Sequence, residues 1–381
     1  MDHQCDIVLL SYESPQLLRK CVRSVLDHTR VSSRLIVVDN ASKDPGVKQF
    51  LGGIHGNSTV EIEKLFSEEN AGFAAGMNKG MRLADSPFVC LLNNDCVVTE
   101  GWLEEMIAVS RSRDDIGLVN PQSNTFGSRP DAGASIDSHA MLLSDRRGRF
   151  VELGHAIGFA CLIKKEVIDR IGYLDEEYEG VCYEDTDFSV RAQKAGYISV
   201  MAEGAYVFHV EQASRRNMKD KGSVYKKNRE IFERKWGRLL RIFYLDNRQQ
   251  GEVETIKSYE ALKGIARERA IVDFWVRQKR GGKKDFFGEE KRATIKHADI
   301  GVTVFSGNFI ALAVLLRVLT KKKKYDAVIT DKGVVSLVLR ILKFLHGTEV
   351  FTREGSWARK GDMVFDLNQP SGFAEYLRKR K

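Results

Sequence analysis

Apolar runs of strand length alternate with helical patterns over the first hundred residues. Residues 6–12 form the first apolar run, and Ser14-Pro15 then begins a periodic segment with apolar residues on one side. A second apolar run covers residues 34–38 and stops at Asp39. A strand, a helix and a strand in this order predict a parallel α/β sheet, in which ligands gather at the carboxyl ends of the strands.

A polar triplet ends the next long apolar run. Residues 62–66 predict a short strand, residues 70–80 a glycine-rich loop that becomes a helix, and residues 87–92 a buried strand that stops at Asn93-Asn94-Asp95. A carboxylate and two amides in this place can ligate a hard cation or hold a ribose. Asn and Asp are also common turn residues, so the triplet alone leaves a simple turn open.

Beyond residue 121 the pattern predicts a loop-rich stretch that reaches about residue 150, because glycine, proline and charge replace the long apolar runs. Regular structure then resumes, and the sequence Tyr183-Glu184-Asp185-Thr186-Asp187 begins a helix. The other predicted elements of this stretch are a strand at 158–163, a helix at 165–171, and strands at 198–201 and 205–209.

The second half of the chain divides into two further predicted segments. Residues 225–280 have a helical and highly charged pattern, whereas residues 300–352 alternate between strands and helices and predict a small parallel unit. We therefore predict three domains, with boundaries at residues 1–245, 246–295 and 296–381. The first contains the parallel sheet, the second is a charged helical connector, and the third is a small Rossmann-like α/β appendage.

Positive charge is unevenly distributed. The 381 residues include 60 Lys and Arg and 52 Asp and Glu, and the formal net charge of +8 favours acidic ligands. Each basic run fits either a solvated helix face or a contact with an anionic membrane or a phosphate-bearing acceptor. No recognition motif accompanies the charge, so we expect no nucleic-acid partner. The runs are Arg215, Arg216, Lys219, Lys221, Lys226, Lys227 and Arg229, then Lys321 to Lys324, and Arg378 to Lys381.

Cysteine usage and the first residues predict a cytoplasmic protein. The six cysteines form no metal-type CxxC pair, and several lie inside apolar runs. The start Met1-Asp2-His3-Gln4 lacks the basic and apolar regions of a secretory signal. The longest uncharged stretch, residues 300–316, is shorter than the roughly 18–20 residues that a spanning helix needs. We expect a cytoplasmic protein whose only membrane contact is peripheral, at the inner face of the cell membrane.

Several of these segments, taken in order over residues 5–215, resemble the inverting glycosyltransferases of family 2, especially the branch that includes bacterial rhamnosyltransferases. That resemblance implies a GT-A nucleotide-binding fold that transfers a sugar from a UDP- or dTDP-sugar donor. The implied acceptor is a glycan or a lipid-linked molecule in cell-surface polysaccharide synthesis. The matching segments are Ile7 to Tyr12, Val37 to Ser42, Asn70 to Gly80, Leu91 to Asp95, Gly158 to Asp175, Tyr183 to Asp187 and Val207 to His209.

The resemblance also implies which residues bind the donor. Asp39 would accept a hydrogen bond from the imide N–H of a pyrimidine base, unless it only caps the following turn. Ser11 and Tyr12 would lie beside the base and the ribose. The wall under the diphosphate and the sugar would be formed by Asn70, Gly72 and Asn78, and Gly72 would allow a close approach of the backbone.

Metal binding follows from the same resemblance. Asn93-Asn94-Asp95 occupies the place of the family's Asp-x-Asp motif, with asparagine in place of the first acid. Asp95 would then ligate Mn²⁺ or Mg²⁺, and Asn93 would bind the ribose or a metal-bound water. His209 would supply a second ligand, although a lone histidine at the end of an apolar strand is also compatible with a core residue. An imidazole ligand favours manganese over magnesium.

The acidic pair Glu184-Asp185 precedes the helix on the acceptor side, and the resemblance implies that Asp185 is the general base. A carboxylate at a helix start stays ionised next to the helix dipole and can reach an acceptor hydroxyl. The alternative is an ordinary capping cluster, in which Asp185 or Thr186 closes the first turn. We expect Asp187 to pair with Arg191 one turn further on.

Two other functions compete with sugar transfer. A non-catalytic nucleotide-sugar or glycan-binding module would need Asp39 and Asp95 but not Asp185. A nucleotidyltransferase would carry a basic, glycine-rich loop directly after the first strand, where this chain has Ser11-Tyr12-Glu13-Ser14-Pro15. Residues 296–381 weakly resemble the beginning of a GT-B domain, with Ser306-Gly307-Asn308 at the first turn, and we expect a docking or membrane-contacting role for them.

Overall fold

The apolar run near the N-terminus is a central strand of a sheet. β1 (Cys5–Ser11) is buried along its whole length and pairs in parallel with β2 (Ser33–Asp39) and with β4 (Phe88–Asn93). β3 (Val60–Phe66) pairs in parallel with the other side of β2. A parallel sheet that is covered on both faces requires such continuous apolar strands, so the predicted parallel α/β sheet is confirmed.

The computed structural model describes residues 3–180, 182–210, 221–248, 252–277, 295–305 and 310–380. The chain divides into two compact units, unit 1 (Met1–Lys235) and unit 2 (Trp236–Lys381). Within the described ranges no helix has the length and apolar character needed to cross a membrane. Some residues named above lie outside the described ranges: Arg215, Arg216, Lys219, Ser306-Gly307-Asn308 and Lys381.

Five further strands extend the first sheet into a mixed half. The strand order is β3-β2-β1-β4-β8-β6-β9-β5, with β7 beside β9. β8 is antiparallel to β4 and β6, β9 is parallel to β6, and β5 is antiparallel to β9. These strands are β5 (Cys96–Val98), β6 (Ile116–Gln122), β7 (Phe150–Leu153), β8 (Ala160–Lys164) and β9 (Ile198–His209).

Helices cover both faces of this sheet. Ile7 and Leu9 of β1 belong to the core on one face, whereas Val8 and Leu10 belong to the core on the other, because successive side chains of a strand point to opposite faces. The helices of unit 1 are α1 (Pro15–His28), α2 (Pro45–Gly53), α3 (Phe73–Leu83), α4 (Trp102–Arg111), α5 (Ile136–Leu143), α6 (Lys165–Ile171), α7 (Glu184–Lys194) and α8, which begins at Lys221 and ends at Trp236.

Helix α3 lies very close to β1 because two of its residues are glycines. A Cβ atom added to Gly80 would lie 2.4 Å from Cγ1 of Val8, and one added to Gly76 would lie 2.7 Å from Cδ1 of Leu10. Such distances are shorter than a van der Waals contact allows, so only glycine lets the helix approach the strand at these positions. This packing fixes the helix that begins in the glycine-rich loop.

The predicted loop-rich stretch between residues 121 and 150 contains a helix. Ser135 caps α5, because its Oγ accepts a hydrogen bond from the backbone N–H of Ser138 at 3.0 Å. Only His139 and Leu143 of α5 are buried, whereas Met141 and Leu142 are exposed. The apolar stripe of this helix is therefore too narrow to stand out in the sequence.

Unit 2 has its own sheet, in the order β12-β11-β10-β13-β14-β15-β16. The first five of these strands are parallel, and β15 and β16 are antiparallel additions. The strands are β10 (Leu240–Asp246), β11 (Ala270–Arg277), β12 (Ile300–Phe305), β13 (Ala327–Asp331), β14 (Glu349–Glu354), β15 (Trp357–Lys360) and β16 (Met363–Asp366). The helices are α9 (Glu252–Arg267), α10 (Ile310–Thr320), α11 (Val334–Ile341), α12 (Lys343–His346) and α13 (Ser371–Arg378).

The predicted connector, residues 246–295, differs from the observed structure. It contains α9 and also β11, which lies inside the second sheet between β10 and β12. Burial alternates along β11, so that Asp273 and Arg277 lie on its less buried side. The charged residues hide, in the sequence, the alternation of buried and less buried positions that is typical of a strand. The boundary between the units falls after Lys235 rather than at residue 245, because β10 belongs to the second sheet.

A buried ion cluster joins three strands of unit 2 at their carboxyl ends. Nη2 of Arg353 lies 2.9 Å from Oδ1 of Asp246 and 3.1 Å from Oδ1 of Asp331. The Arg353 and Asp246 side chains are almost fully buried. Burial raises the pKa of Asp246, and the positive charge of Arg353 opposes that rise. The Arg353 guanidinium therefore lies between two carboxylates that β10 and β13 bring together. The more exposed Arg248 adds a second cation, with its Nε 3.1 Å from Oδ1 of Asp331 and 3.8 Å from Oδ1 of Asp246.

We predict that Arg353→Ala lowers the free energy of unfolding of unit 2 by about 3–5 kcal/mol, because the buried Asp246 carboxylate loses its closest cation. The measurement is urea unfolding followed by far-UV circular dichroism. Arg359→Ala is the matched control, since this arginine belongs to an exposed pair with Glu354 at 3.3 Å and should cost at most about 1 kcal/mol. Equal losses in the two variants would contradict the structural role of Arg353.

Candidate active site

Three strands of unit 1 end in polar residues at the same edge of the sheet. Ser11 of β1 is in register with Asp39 of β2, and Leu10 is in register with Asn93 of β4. The parallel pairing therefore brings Ser11, Asp39 and Asn93 together, although 28 and 54 residues separate them along the chain. The structure thus places these three predicted donor-binding residues at the edge where ligands of parallel sheets bind.

Asp39 has one carboxylate oxygen in use by the chain. Its side chain is only 1% exposed, and its Oδ1 accepts a hydrogen bond from the backbone N–H of Ser42 at 3.1 Å. The capping alternative is therefore observed, and it leaves the second oxygen for a ligand. Ser11 is fully buried, and its Oγ has no hydrogen-bond partner within the described ranges, whereas Tyr12 is exposed.

Glu13 locks the loop after β1 to the loop after β2. Its carboxylate accepts hydrogen bonds from the backbone N–H groups of Lys43 and Asp44, both at 2.9 Å, and its own N–H donates to Oγ of Ser42 at 2.9 Å. Glu13 and Ser14 both have φ of 55°, a left-handed conformation that is uncommon outside glycine. This lock was not predicted, because nothing in the sequence indicates that the two loops touch.

Asn40 holds the glycine-rich loop against the end of β2. Its Nδ2 donates to Oδ1 of Asn70 at 2.9 Å and to the carbonyl of Gly72 at 3.1 Å, while its Oδ1 accepts from the N–H of Ala71 at 3.1 Å. Gly72 precedes α3 with φ of 82°, which explains the need for glycine. Asn70 and Gly72 are therefore held against Asn40, the residue after Asp39, and their place under the diphosphate and the sugar stays a prediction.

Asn78 has a different set of contacts. Its Nδ2 donates to the carbonyl of Leu174 and to Oε1 of Glu176, both at 2.8 Å, and its Oδ1 accepts from the N–H of Leu174 at 3.0 Å. The amide thus ties α3 to the segment after α6. Its predicted place in the wall under the diphosphate stays a prediction.

Asp95 and His209 approach each other at the end of the β5–β9 pair. Nε2 of His209 lies 3.1 Å from Oδ1 of Asp95, and this oxygen makes no well-aligned hydrogen bond with any described residue. The pairing of Cys96 with His209 sets this distance, because it fixes β5 beside the last residue of β9. A buried carboxylate oxygen and an imidazole nitrogen that converge without a hydrogen bond between them fit two ligands of one cation.

Cys96 also lies within 4.8 Å of these ligand atoms but is not suited to bind a hard metal. Its Sγ donates to the carbonyl of Phe159 at 3.4 Å, and burial raises the pKa of its thiol well above the usual range. The thiol is thus already engaged with a carbonyl, and a soft sulfur ligand does not suit the hard cations Mg²⁺ and Mn²⁺. The cluster reduces to Asp95 and His209, the pair that the sequence predicts.

Two neighbours that sequence reasoning missed orient His209. Asn124 holds its backbone from both sides, because Oδ1 of Asn124 accepts from the His209 N–H at 2.8 Å and Nδ2 donates to the His209 carbonyl at 3.0 Å. The ring of Phe159 stacks on the imidazole at 5.4 Å between centroids. Asn124 lies in the stretch predicted as loop, where a single polar residue gives no signal of this role.

The asparagines of the triplet differ in their surroundings. The backbone N–H of Asn93 donates to the carbonyl of Phe159 at 2.9 Å, while its buried Oδ1 has no partner within the part of the chain that the structure describes. Asn94 is buried in the turn that leads from β4 to β5. Asn93 therefore presents a free acceptor at the same edge as Ser11 and Asp39.

Asp185 lies in the first turn of α7, with its carboxylate held by neighbours. Its Oδ2 accepts from the N–H of Gly158 at 2.9 Å, and its Oδ1 accepts from the N–H and the hydroxyl of Thr186 at 2.6 and 3.1 Å. These three donors fix the orientation of the carboxylate at the start of the helix. Glu184 is buried beside it, and Asp187 pairs with Arg191 at 2.8 Å, as predicted.

Three comparisons give this site a context. Residues 6–172 match the family model described as "Glycosyl transferase family 2". Protein y4gI of Sinorhizobium fredii is 27% identical over 60% of this chain and 27% of its own length, and hyaluronan synthase of Pasteurella multocida is 21% identical over 56% and 25%. The structure of GalNAc-T7 with UDP, GalNAc and Mn²⁺ has a TM-score of 0.47 at 15% identity, over 61% of this chain and 48% of that one.

The alignments show how much of each relative's length this chain covers. This chain spans about a quarter of the length of the two curated relatives, so their whole activities do not transfer to it directly. The narrower resemblance to rhamnosyltransferases stays a prediction. The predicted GT-A nucleotide-binding fold is confirmed by the family match together with the parallel strands β3-β2-β1-β4, and the match to the family 2 model lies within unit 1, over residues 6–172.

Proposed function

We propose that unit 1 is an inverting glycosyltransferase that moves a sugar from a UDP- or dTDP-sugar to a hydroxyl group of a glycan or a lipid-linked acceptor. One observation carries this proposal: a short segment connects the acid Asp185 to the Asp95–His209 pair. Gly158 binds Asp185, and Phe159 contacts both His209 and Asn93. A candidate base and a candidate metal site therefore share one rigid support at the edge of the sheet.

Unpartnered polar atoms support binding of a nucleotide sugar at this edge. Oγ of Ser11, Oδ1 of Asn93 and Oδ1 of Asp95 are buried and have no hydrogen-bond partner within the described ranges. Each such atom costs about 1–3 kcal/mol when it stays unpaired. A ligand rich in hydroxyl groups and phosphate-bound cations removes this cost. Asp39 then accepts the imide N–H of a uracil or thymine base with its remaining oxygen.

The residues at the β5–β9 pair fit a divalent cation. A carboxylate and a neutral imidazole leave several coordination positions open for the oxygens of a diphosphate. Asp95 and His209 would hold Mn²⁺ or Mg²⁺, which would supply positive charge to stabilise the departing nucleoside diphosphate. Asn124 and Phe159 hold the imidazole of His209 in place, so the ring is oriented before any ion arrives.

Asp185 acts as the general base in this proposal. Its carboxylate accepts the proton of the acceptor hydroxyl while the oxygen of that hydroxyl bonds to the anomeric carbon of the sugar. The bond between this carbon and the diphosphate oxygen breaks in the same displacement, so the anomeric configuration inverts. The hydrogen bonds from Gly158 and Thr186 aim the carboxylate and leave it one open acceptor position.

The proposed setting is polysaccharide synthesis at the cytoplasmic side of the cell envelope. Hyaluronan synthase, one of the relatives, is named for a polysaccharide, which supports a glycan as the product. A non-catalytic nucleotide-sugar or glycan-binding module is the alternative. Such a module would bind the donor at Asp39 but would have no use for the held carboxylate of Asp185.

We predict that Asp185→Asn lowers turnover by at least about 100-fold, because an amide cannot accept the acceptor's proton. Donor affinity should stay nearly unchanged, which isothermal titration with UDP and dTDP measures beside a transfer assay. Asp169→Asn is the matched control, since Asp169 is an exposed acid on α6 that pairs with Lys165. An Asp185→Asn enzyme with most of its activity would remove this residue from the mechanism, and a parent protein that binds donor without turnover would favour the binding module.

We predict that chelator abolishes transfer and that Asp95→Ala or His209→Ala raises the Mn²⁺ concentration needed for half-maximal activity. Asn124→Ala should weaken Mn²⁺ binding by about 10–100-fold although it keeps both ligands, because the backbone of His209 loses its support. Electron paramagnetic resonance of free Mn²⁺ measures binding independently of activity. Asn57→Ala, at an exposed turn, is the control. Full activity in excess chelator would contradict the metal site.

A further inference from the structure

The outer side of three helices in unit 2 is apolar. On their inner side, α10 and α11 bury Val314, Val318, Val335 and Leu339 in a core against the sheet. On their outer side, and on α12, large apolar residues are exposed to solvent, Phe344 by 79% and Val334 by 72%. We call these seven residues the apolar face: Leu312, Leu316, Val334, Leu337, Ile341, Phe344 and Leu345.

The apolar face is a continuous surface rather than a scatter of single residues. Leu312 and Leu316 lie one turn apart on α10, as do Leu337 and Ile341 on α11, and residues one turn apart share a helix side. The three helices also pack against one another. Of the nineteen large hydrophobic residues that are exposed within the described ranges, seven belong to this face. A helix that is apolar on both sides is normally covered on both.

The charge around the apolar face is almost entirely positive. Residues 310–347 contain eight Lys and Arg and two Asp. Both acids are paired, Asp326 with Arg238 at 2.7 Å and Asp331 with Arg353 at 3.1 Å. Three of the cations are also paired, because Arg317 and Lys321 contact Asp273 and Lys343 contacts Glu349. The exposed cations interleave with the apolar residues along the chain, and they are Lys322, Lys323, Lys324, Lys332 and Arg340.

We propose that the apolar face, with its rim of cations, docks unit 2 on an anionic lipid membrane. A bilayer surface takes up aliphatic and aromatic side chains below the headgroups while the headgroup charges attract Lys and Arg. A second copy of this chain fits less well, because a symmetric contact would bring the same cations face to face. A nucleic acid offers phosphates but nothing to cover leucine and phenylalanine.

This docking differs from attachment by charge alone. The four lysines Lys321 to Lys324 by themselves would bind anionic vesicles only at low ionic strength, because salt screens their charge. Buried apolar side chains are insensitive to that screening, so part of the binding should survive salt. The inference does not depend on the proposed sugar transfer, since it concerns unit 2 only.

The test is co-sedimentation of the whole chain with vesicles of phosphatidylcholine, with and without phosphatidylglycerol, at low and high salt. We expect binding to the anionic vesicles that high salt weakens but does not abolish. The double variant Ile341→Ser/Phe344→Ser should bind at least about tenfold more weakly at either salt concentration, because two inserted side chains are lost. Lys322→Gln/Lys323→Gln should weaken binding mainly at low salt.

Matched variants separate this surface from other exposed residues. Met141→Ser/Leu142→Ser removes two equally exposed apolar residues from α5 and should leave binding unchanged. Thermal unfolding checks that every variant stays folded, as expected for substitutions at exposed positions. Light scattering measures the oligomeric state. Three results would each overturn the proposal. They are unchanged binding of the Ile341→Ser/Phe344→Ser variant, absence of binding by the parent protein, and a dimer of the parent protein that this variant dissociates.

Discussion

The site of unit 1 depends on the short segment Gly158–Phe159, which enters β8 between the two halves of the sheet. The N–H of Gly158 holds the Asp185 carboxylate, and the Phe159 carbonyl accepts from Asn93 and from the thiol of Cys96. The ring of Phe159 then stacks on His209. A shift of this segment would move the candidate base and the candidate metal ligands together, so their mutual geometry is set by backbone rather than by flexible side chains.

Much of the polar edge formed by the ends of β1, β2 and β4 could be predicted from sequence, because it follows from a local rule. An apolar run that ends in polar residues marks the carboxyl end of a buried strand, and parallel pairing then aligns such ends. Ser11, Asp39 and Asn93 each show this signal, and the register of β1 with β2 and β4 brings them together. Gly72 was named from the family resemblance, and the structure adds a physical reason for glycine there, its positive φ of 82°.

The remaining parts depend on contacts between distant residues, which no local pattern encodes. Asn124 and His209 are 85 residues apart, and the exclusion of Cys96 from the metal site rests on a carbonyl 63 residues away. In unit 2 the charges of β11 concealed a strand, because Asp273 finds its partner in Lys321 at 2.6 Å on another element. From sequence alone, a charged residue is assigned to the solvated surface because its ion-pair partner is unknown. A strand whose charged residues pair with other elements is therefore missed.

The two sheets differ in whether the buried acids at their carboxyl edges have a Lys or Arg partner. In unit 2, Asp246 and Asp331 both lie within 3.1 Å of Arg353, so their charges are compensated by the chain itself. In unit 1, Asp39 and Asp95 are as deeply buried, yet neither has a Lys or Arg within 4 Å among the described residues. Buried carboxylates without a cation destabilise a fold, and they persist where a ligand completes them. The uncompensated acids at the edge of unit 1 therefore support the proposed cation site there.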